Sequence, residues 1–459
     1  MTGPASPAAA LRSRRYLALL LLAAVLGAPI AAVAWGFLAL VSKSQGWLYT
    51  SLPSGLGFHG QPAWWPLPLL ALCGLLVALT IRYLPGTGGH SPADGLKAGG
   101  APRPRDIPGI FLAALATLAL GAVLGPEAPL IALGGGLAAG FVRLIRPGAP
   151  ARLPAMVGAA GSFAAISTLF GSPLLAAFLM MEMAGLAGAS LELVLLPGLL
   201  AAGIGALVMI GLGAWTGLGT FSLAIPHLPH FARPDAAEFG WAIVIGLAAA
   251  LLGTAVRRLA LAVRPQVQSR PVWATPVVGL AVAGLAITFA LATGKSNADV
   301  LFSGQSQIGP LIHAAAGYSA AALLLMLACK GLAYALSMSS LRGGPVFPSM
   351  FLGAAGGIAM SHLPGLPLVP AVAMGIGAMS AVMLRLPLTS VLLATLLLLS
   401  DGVAAMPLVI VAVIVAYLAG LRLLPQAAIP GAAPPGTAPG PADQAAGRPG
   451  HVMQDADRA

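Results

Sequence analysis

The residues of this 459-residue chain that most clearly suggest chemistry lie at Gly125 to Pro129, which read Gly-Pro-Glu-Ala-Pro at the start of an apolar run. A Gly-Pro start predicts a helix N-terminus, because the missing N–H of a proline would be unpaired in the first turn anyway. The free N–H groups and the dipole of such an end attract an anion without a full positive charge. We therefore predict that Gly125 and Pro126 belong to an anion-binding helix end.

Glu127 is an acid inside this apolar segment, where a carboxylate is costly unless it is neutralised or paired. Two interpretations of it stay open. In the first, Glu127 is a tethered anion that occupies the place of a mobile anion and is released by protonation. In the second, its carboxylate only caps its own helix.

The same pattern, G-P-x-x-P-x-x-x-L-G, recurs with identical spacing from Gly344 to Gly353. We predict that Gly344 and the amides of Val346 and Phe347 form a second anion-binding helix end. The second copy contains no acid, which favours a functional role for Glu127 over a merely capping one.

A second matched pair of helix starts supports the repeat. Pro173-Leu174 begins an apolar segment downstream of the first copy, and Pro387-Leu388 begins one downstream of the second. Interrupted apolar segments at corresponding places in two halves indicate a binding site at the repeat interface. The halves are about residues 16–215 and about residues 238–424, and their helix ends could converge near the middle of a bilayer.

The composition places these elements in a membrane. The chain is 58% hydrophobic and 8% charged, whereas a soluble domain carries about 25% charged residues. One span needs roughly 20 mostly apolar residues, and the long uncharged runs are 16–42, 153–181, 193–232, 343–384 and 402–421. This pattern is typical of an all-α polytopic protein. The net charge of +11 is scattered over loops, so we expect the lipid bilayer, and not nucleic acid, as the partner.

The basic residues also predict an orientation. Arg12, Arg14 and Arg15 precede the first apolar run, which indicates a cytoplasmic segment at residues 1–15. The basic stretch from Arg257 to Arg270 predicts another cytoplasmic loop, and the Pro/Gly/Ala-rich residues 425–459 predict a disordered tail. Apolar stretches predict helices near 16–41, 66–82, 108–124, 128–146, 153–169, 172–188, 193–214, 239–260, 273–292, 318–338, 347–362, 367–384, 387–400 and 405–424.

Four motifs, which occur along the chain in the order of the family, resemble those of the CLC chloride channels and proton/chloride antiporters. The gating motif of that family, G-x-E-x-P, is similar to GPEAP here, and its G-G-x-F-x-P motif is similar to Gly343 to Pro348. Gly171 to Leu174 and Arg385 to Thr389 resemble its N-A-P-L and R-A-P-L-T helix starts. The form L-R-G-G-x-x-F-P is especially similar to a bacterial branch described as ion-transport proteins.

The resemblance covers roughly residues 15–424. It implies a CLC-like inverted repeat of two helical halves with broken and re-entrant helices, in a multi-pass protein of the cell membrane. It also implies a homodimer with its own pore in each subunit, no cofactor, and Glu127 as the gating glutamate.

Departures from the family motifs are as informative as the matches. The inner glutamate that relays protons in family transporters falls on Met183, with Glu182 beside it, so Glu182 is either a possible proton relay or a carboxylate near the cytoplasmic surface. The serine of the central anion site falls on Gly89, and Ser91 or Thr87 could serve after a local shift. In the family, backbone amides near the start of the G-x-F-x-P motif line the second-half site. One of these positions is Pro345 here, and because proline has no N–H, we predict a shifted or weaker site.

Three functional hypotheses remain open. The first is passive or weakly proton-linked transport of small inorganic anions, chloride first, gated by Glu127 along a path lined by Gly89, Ser91, Val346 and Phe347. The second is obligate proton/chloride antiport. The third is a non-transporting membrane scaffold on a degenerate fold of this type. Catalytic constellations are missing from the sequence, so we expect no enzyme.

Overall fold

A computed structural model describes residues 11–96, 100–185, 189–217, 224–226, 228–231 and 233–423. Residues 1–10 of the predicted N-terminal segment and the predicted tail 425–459 lie outside the described residues. In chain order the α-helices are α1 (Arg14–Gly46), α2 (Leu52–Gly55), α3 (Pro66–Tyr83), α4 (Ile107–Ala119), α5 (Glu127–Ile145), α6 (Arg152–Phe170), α7 (Pro173–Ala184), α8 (Ala189–Thr216), α9 (Ala236–Ser269), α10 (Pro271–Thr293), α11 (Ile308–His313), α12 (Ala320–Ser340), α13 (Val346–Ser361), α14 (Leu368–Leu384), α15 (Pro387–Leu397) and α16 (Leu399–Leu423). A π-helical turn, Trp47–Ser51, joins α1 to α2, and 3₁₀ turns lie at Pro85–Gly88, Pro92–Asp94, Pro104–Asp106, Asn297–Asp299, Gln305–Gln307 and Ala315–Gly317.

The predicted all-α class is confirmed, and each predicted helix segment corresponds to a helix with somewhat different ends. The segment predicted at 108–124 ends earlier, at Ala119. Gly121 has a φ of 100°, which side-chain-bearing residues rarely adopt, and a methyl group there would overlap the Tyr49 hydroxyl. The break lets the chain turn before α5 begins at Glu127.

The loop predicted at the basic stretch from Arg257 to Arg270 is wrong, because α9 continues to Ser269. Arg257 and Arg264 lie seven residues apart and therefore share one helix face. Arg264 is half-buried, and its Nη1 donates to Asp94 Oδ1 at 2.7 Å. The Arg257 Nε is buried, so the charges of this stretch pack against the protein as well as facing solvent, which a count of basic residues does not reveal.

The chain is a multi-pass membrane protein. Among the described residues, nine helices are long and apolar enough to cross a membrane. Apolar helices that are shorter than a span include Pro173–Ala184, Val346–Ser361, Leu368–Leu384 and Pro387–Leu397. Large apolar side chains such as Leu21 and Val25 of α1 point outward, where lipid can cover them.

The glycine that ends each copy of the motif is a helix-packing residue. Helix α5 packs on α6, and α13 packs on α14. A methyl group on Gly134 would overlap the carbonyl oxygen of Gly161, and one on Gly353 would overlap that of Gly375. Small residues that allow this close approach are common where membrane helices meet. The two halves therefore use the same glycine for the same contact.

Candidate anion site

The two copies of the motif meet at their first glycines. Gly125 N donates to Gly344 O at 2.8 Å, and Gly344 N donates to Gly125 O at 2.6 Å, which forms an isolated antiparallel bridge. Because a helix begins two residues after each glycine, α5 and α13 start at the same place from opposite halves.

Each half also holds the loop that leads into the other half's motif. Val123 N donates to the Ser337 hydroxyl of α12 at 3.2 Å. Reciprocally, Arg342 N donates to the Thr117 hydroxyl of α4 at 3.4 Å. Val123 and Arg342 both lie two residues before their motif glycine. The meeting point is therefore supported by matched side-chain contacts from both halves.

Glu127 is enclosed at this meeting point, with 0% of its surface exposed. Its Oε1 accepts a hydrogen bond from Phe347 N at 2.9 Å, so the acid of the first helix end lies on the amide of the second. Oε2 is buried and has no hydrogen-bond partner among the described residues. A methyl group on Gly125 or Gly344 would overlap the carboxylate, so both positions require glycine.

The predicted anion-binding residues differ in what they offer the carboxylate. The N–H groups of Gly125 and Gly344 each donate to the carbonyl of the other glycine, and so neither donates to the carboxylate. Pro126, like the proline of the second copy, has no N–H to donate. Phe347 supplies the amide that reaches Glu127, while Val346 accepts a bond from Ser349 Oγ through its carbonyl. The second helix end thus donates through Phe347, two residues after Pro345.

A cavity of about 400 Å³ adjoins this meeting point. Ala128, next to Glu127, and Pro345, at the start of α13, line it, as do Gly89 and Ser91. The Gly89 amide donates to Gly86 O at 2.9 Å, whereas the Ser91 hydroxyl is buried without a partner among the described residues. Of the alternatives for the family's serine, Ser91 therefore has a free hydroxyl beside the cavity.

Glu182 faces a neighbouring helix. Its Oε1 accepts from Leu388 N at 3.0 Å, and its Oε2 accepts from Thr389 N at 2.8 Å and Thr389 Oγ1 at 2.6 Å. Glu182 therefore caps the N-terminus of α15, while Met183 lines the cavity. Its relay role stays a prediction.

Comparisons with known proteins show the family of this chain. The family model described as "Voltage gated chloride channel" matches residues 73–420. The chain belongs to this family. Its predicted resemblance to CLC proteins is thereby confirmed, and anion transport across membranes is the activity that membership in the CLC family supports.

Named relatives of this CLC chain include two bacterial proteins called "Putative ion-transport protein YfeO". The one from Salmonella paratyphi A is 28% identical over 354 residues, which cover 76% of this chain and 81% of the relative. The one from Escherichia coli O7:K1 is also 28% identical over 354 residues, with 76% and 80% covered.

Solved structures share the fold. A slow cyanobacterial Cl⁻/H⁺ antiporter superposes with a TM-score of 0.70 at 19% identity, over 88% of this chain and 94% of that one. A CLC-type fluoride/proton antiporter gives 0.62 at 20% identity, over 88% and 95%. At these identities the likeness shows the fold alone.

Two residues of α12 that sequence reasoning missed lie beside the site of this CLC protein. Tyr334 is fully buried, and its hydroxyl donates to Pro345 O at 2.9 Å, which fixes the start of α13. Lys330, one helical turn earlier, has 0% exposure, and its Nζ lies 4.1 Å from the centre of the Phe351 ring.

Backbone carbonyls surround the Lys330 side-chain nitrogen. Its Nζ donates to Asp299 O at 3.0 Å, Val300 O at 3.2 Å and Leu301 O at 3.0 Å. Burial raises the pKa of the Asp299 carboxyl, although the Tyr318 hydroxyl donates to it at 2.9 Å. A lysine inside an apolar run was the sequence signal available for this cluster, because intramembrane charges are rare without partners.

Proposed function

We propose that this chain transports small inorganic anions, chloride first among them, and that Glu127 is the gate. The hydrogen bond from Phe347 N to Glu127 Oε1 carries the proposal, because it puts a tethered anion on a helix N-terminus of the opposite half. A mobile anion that binds the same amide must displace the carboxylate.

The surroundings of Glu127 suit a reversible gate. Among the described residues no lysine or arginine forms an ion pair with it, so one amide and the helix dipole hold the carboxylate. Protonation weakens that hold, since a neutral carboxyl accepts a weaker hydrogen bond than a carboxylate. We therefore expect faster anion passage as the pH falls.

The cavity provides the other part of the proposed path. It extends from Ala128 and Pro345 to Gly89 and Ser91, and the unpartnered Ser91 hydroxyl could donate to a passing anion. Amides and hydroxyls bind weakly enough for release, which conduction requires.

Passive or weakly proton-linked transport is favoured over obligate antiport. Met183 lines the cavity, and its side chain cannot carry a proton. The carboxylate of Glu182 accepts hydrogen bonds from the start of α15. Obligate antiport is the second candidate, because two solved structures of the same fold are described as Cl⁻/H⁺ and fluoride/proton antiporters. A homodimer in the cell membrane with a cytoplasmic N-terminus belongs to the same proposal.

Chloride efflux from liposomes that contain the purified protein tests the gate. We expect efflux from the native protein to rise as pH falls, and efflux from Glu127→Gln to be pH-independent. Glu192→Gln is the matched control, since that glutamate lies exposed at the start of α8. An unchanged rate and pH dependence in Glu127→Gln would remove the gating assignment.

Simultaneous recording of external pH separates the two candidates. Passive transport predicts efflux that needs a potassium ionophore and moves no protons. Uphill proton movement driven by a chloride gradient, at a fixed ratio, would replace the first candidate with antiport. A purified protein that passes no anion at any pH or in any lipid would support the scaffold hypothesis.

A further inference from the structure

A second cavity, of about 360 Å³, lies on the other side of the loop that lines the first. Both cavities share Thr87, Gly89, His90 and Ser91 as a wall. The remaining lining of the second cavity is mostly polar or charged, and includes Asp94, Arg264, Gln268, Ser339, Ser340 and Arg342.

Positive charge exceeds negative charge in this second cavity. Arg264 and Arg342 supply two guanidinium groups, and Asp94 is the single acid among its lining residues. Burial is the main cause that lowers the pKa of Arg342, to about 10, and the charge of Arg264 lowers this pKa further, so Arg342 remains charged at neutral pH.

Most of the N–H donors of the two guanidinium groups have no hydrogen-bond acceptor among the described residues. A guanidinium carries five N–H donors. Arg264 donates through Nη1 to Asp94 at 2.7 Å, and Arg342 donates through Nε to Thr87 O at 3.1 Å and through Nη1 to Leu341 O at 3.2 Å. The Ser91 hydroxyl, buried and without a partner among the described residues, lies in the same wall.

We propose that this second cavity binds a small oxyanion of the phosphate class through Arg264 and Arg342. Planar guanidinium groups match the paired oxygens of such an anion in a bidentate arrangement. The bound oxyanion lies across a shared wall from the first cavity, and like charges repel, so its presence lowers anion flux through that cavity.

Two sources can supply this chemistry. Gln268 and Pro271, at the turn between α9 and α10, line the cavity, so either free phosphate or the phosphate of an anionic lipid headgroup can reach it. The binding is independent of transport, and it holds whether or not the proposed anion path conducts.

Titration calorimetry of inorganic phosphate into the detergent-solubilised full chain at neutral pH tests the site. We expect a saturable signal for the native protein and an affinity at least about tenfold weaker for Arg264→Gln, because charge-assisted bidentate bonds are lost. Arg264→Lys keeps the charge beside Asp94 but not the planar fork, and we expect it to bind with intermediate affinity. Arg270→Gln is the control, since Arg270 is exposed at the same turn and does not line the cavity.

Three results would overturn the proposal: no saturable phosphate signal, equal affinity in Arg264→Gln, or displacement of phosphate by an equal concentration of chloride. Nanodiscs of phosphatidylcholine, with and without phosphatidic acid, distinguish the sources. If phosphatidic acid abolishes the phosphate signal, the headgroup occupies the site, and if the signal persists, free phosphate does.

Internal phosphate in the liposome efflux assay tests the consequence. We expect it to slow chloride efflux from the native protein and not from Arg264→Gln. Equal slowing of both would contradict the effect on flux. Phosphate binding without any chloride flux would leave this site standing and remove the proposed function, whereas flux without phosphate binding would do the reverse.

Discussion

Removal of the Glu127 carboxylate should create a chloride site whose strength follows from the structure. The carboxylate holds the Phe347 amide through one hydrogen bond of 2.9 Å, and a bond to a charged partner contributes about 1.5–3 kcal/mol. A mobile anion must overcome that amount in the native protein and not in Glu127→Ala. Since each 1.4 kcal/mol is a factor of ten, we expect chloride to bind Glu127→Ala roughly ten- to a hundredfold more tightly.

Calorimetric titration of chloride into protein purified in a non-halide buffer measures this difference. Glu192→Ala serves as the control, because it removes an exposed glutamate from the first turn of α8 and should bind chloride like the native protein. Equal chloride affinity in Glu127→Ala and the native protein would refute the reasoning, since the carboxylate would then not occupy an anion's place.

Three further substitutions test the supporting contacts by thermal unfolding in detergent. Glu182→Ala removes three hydrogen bonds from the start of α15, so we expect a lower melting temperature with chloride efflux retained, and an unchanged melting temperature would contradict the cap. Lys330→Met removes the donor from the carbonyl oxygens of Asp299, Val300 and Leu301 and should also lower the melting temperature, because a buried acceptor without a donor costs about 1–3 kcal/mol; native stability would show that this lysine is dispensable. Gly353→Ala should destabilise α13 against Gly375, whereas Gly356→Ala, which meets open space on the same helix, should not, and equal effects would refute the packing role.

The repeat predicted where the two halves meet, because it is a pattern of residues that determines backbone conformation. A Gly-Pro helix start at a fixed distance from a packing glycine is a local pattern. Its recurrence predicted that a helix would begin in the same way in both halves. The structure shows this correspondence in the reciprocal backbone hydrogen bonds of Gly125 and Gly344. At the same place, Phe347 N of the second copy donates to Glu127 of the first.

Other parts of the site could not be read from local sequence, because their partners are distant in the chain. The Glu182 carboxylate accepts a hydrogen bond from Thr389, which belongs to the second half of the chain. The position of Glu182 along its own helix could not show whether it caps α15 or relays protons. The basic stretch that includes Arg264 looked like a loop, and only tertiary structure shows that it extends α9 and contacts Asp94. Tyr334 gave no local sign of its bond to Pro345 O.

The most direct test of the central claim is crystallography with bromide, whose anomalous scattering locates the anion. The account predicts a bromide peak within hydrogen-bond distance of Phe347 N in Glu127→Ala and none there in the native protein, where the carboxylate occupies the place. A native crystal with bromide on that amide, or a Glu127→Ala crystal with none, would contradict the claim that Glu127 is a tethered anion.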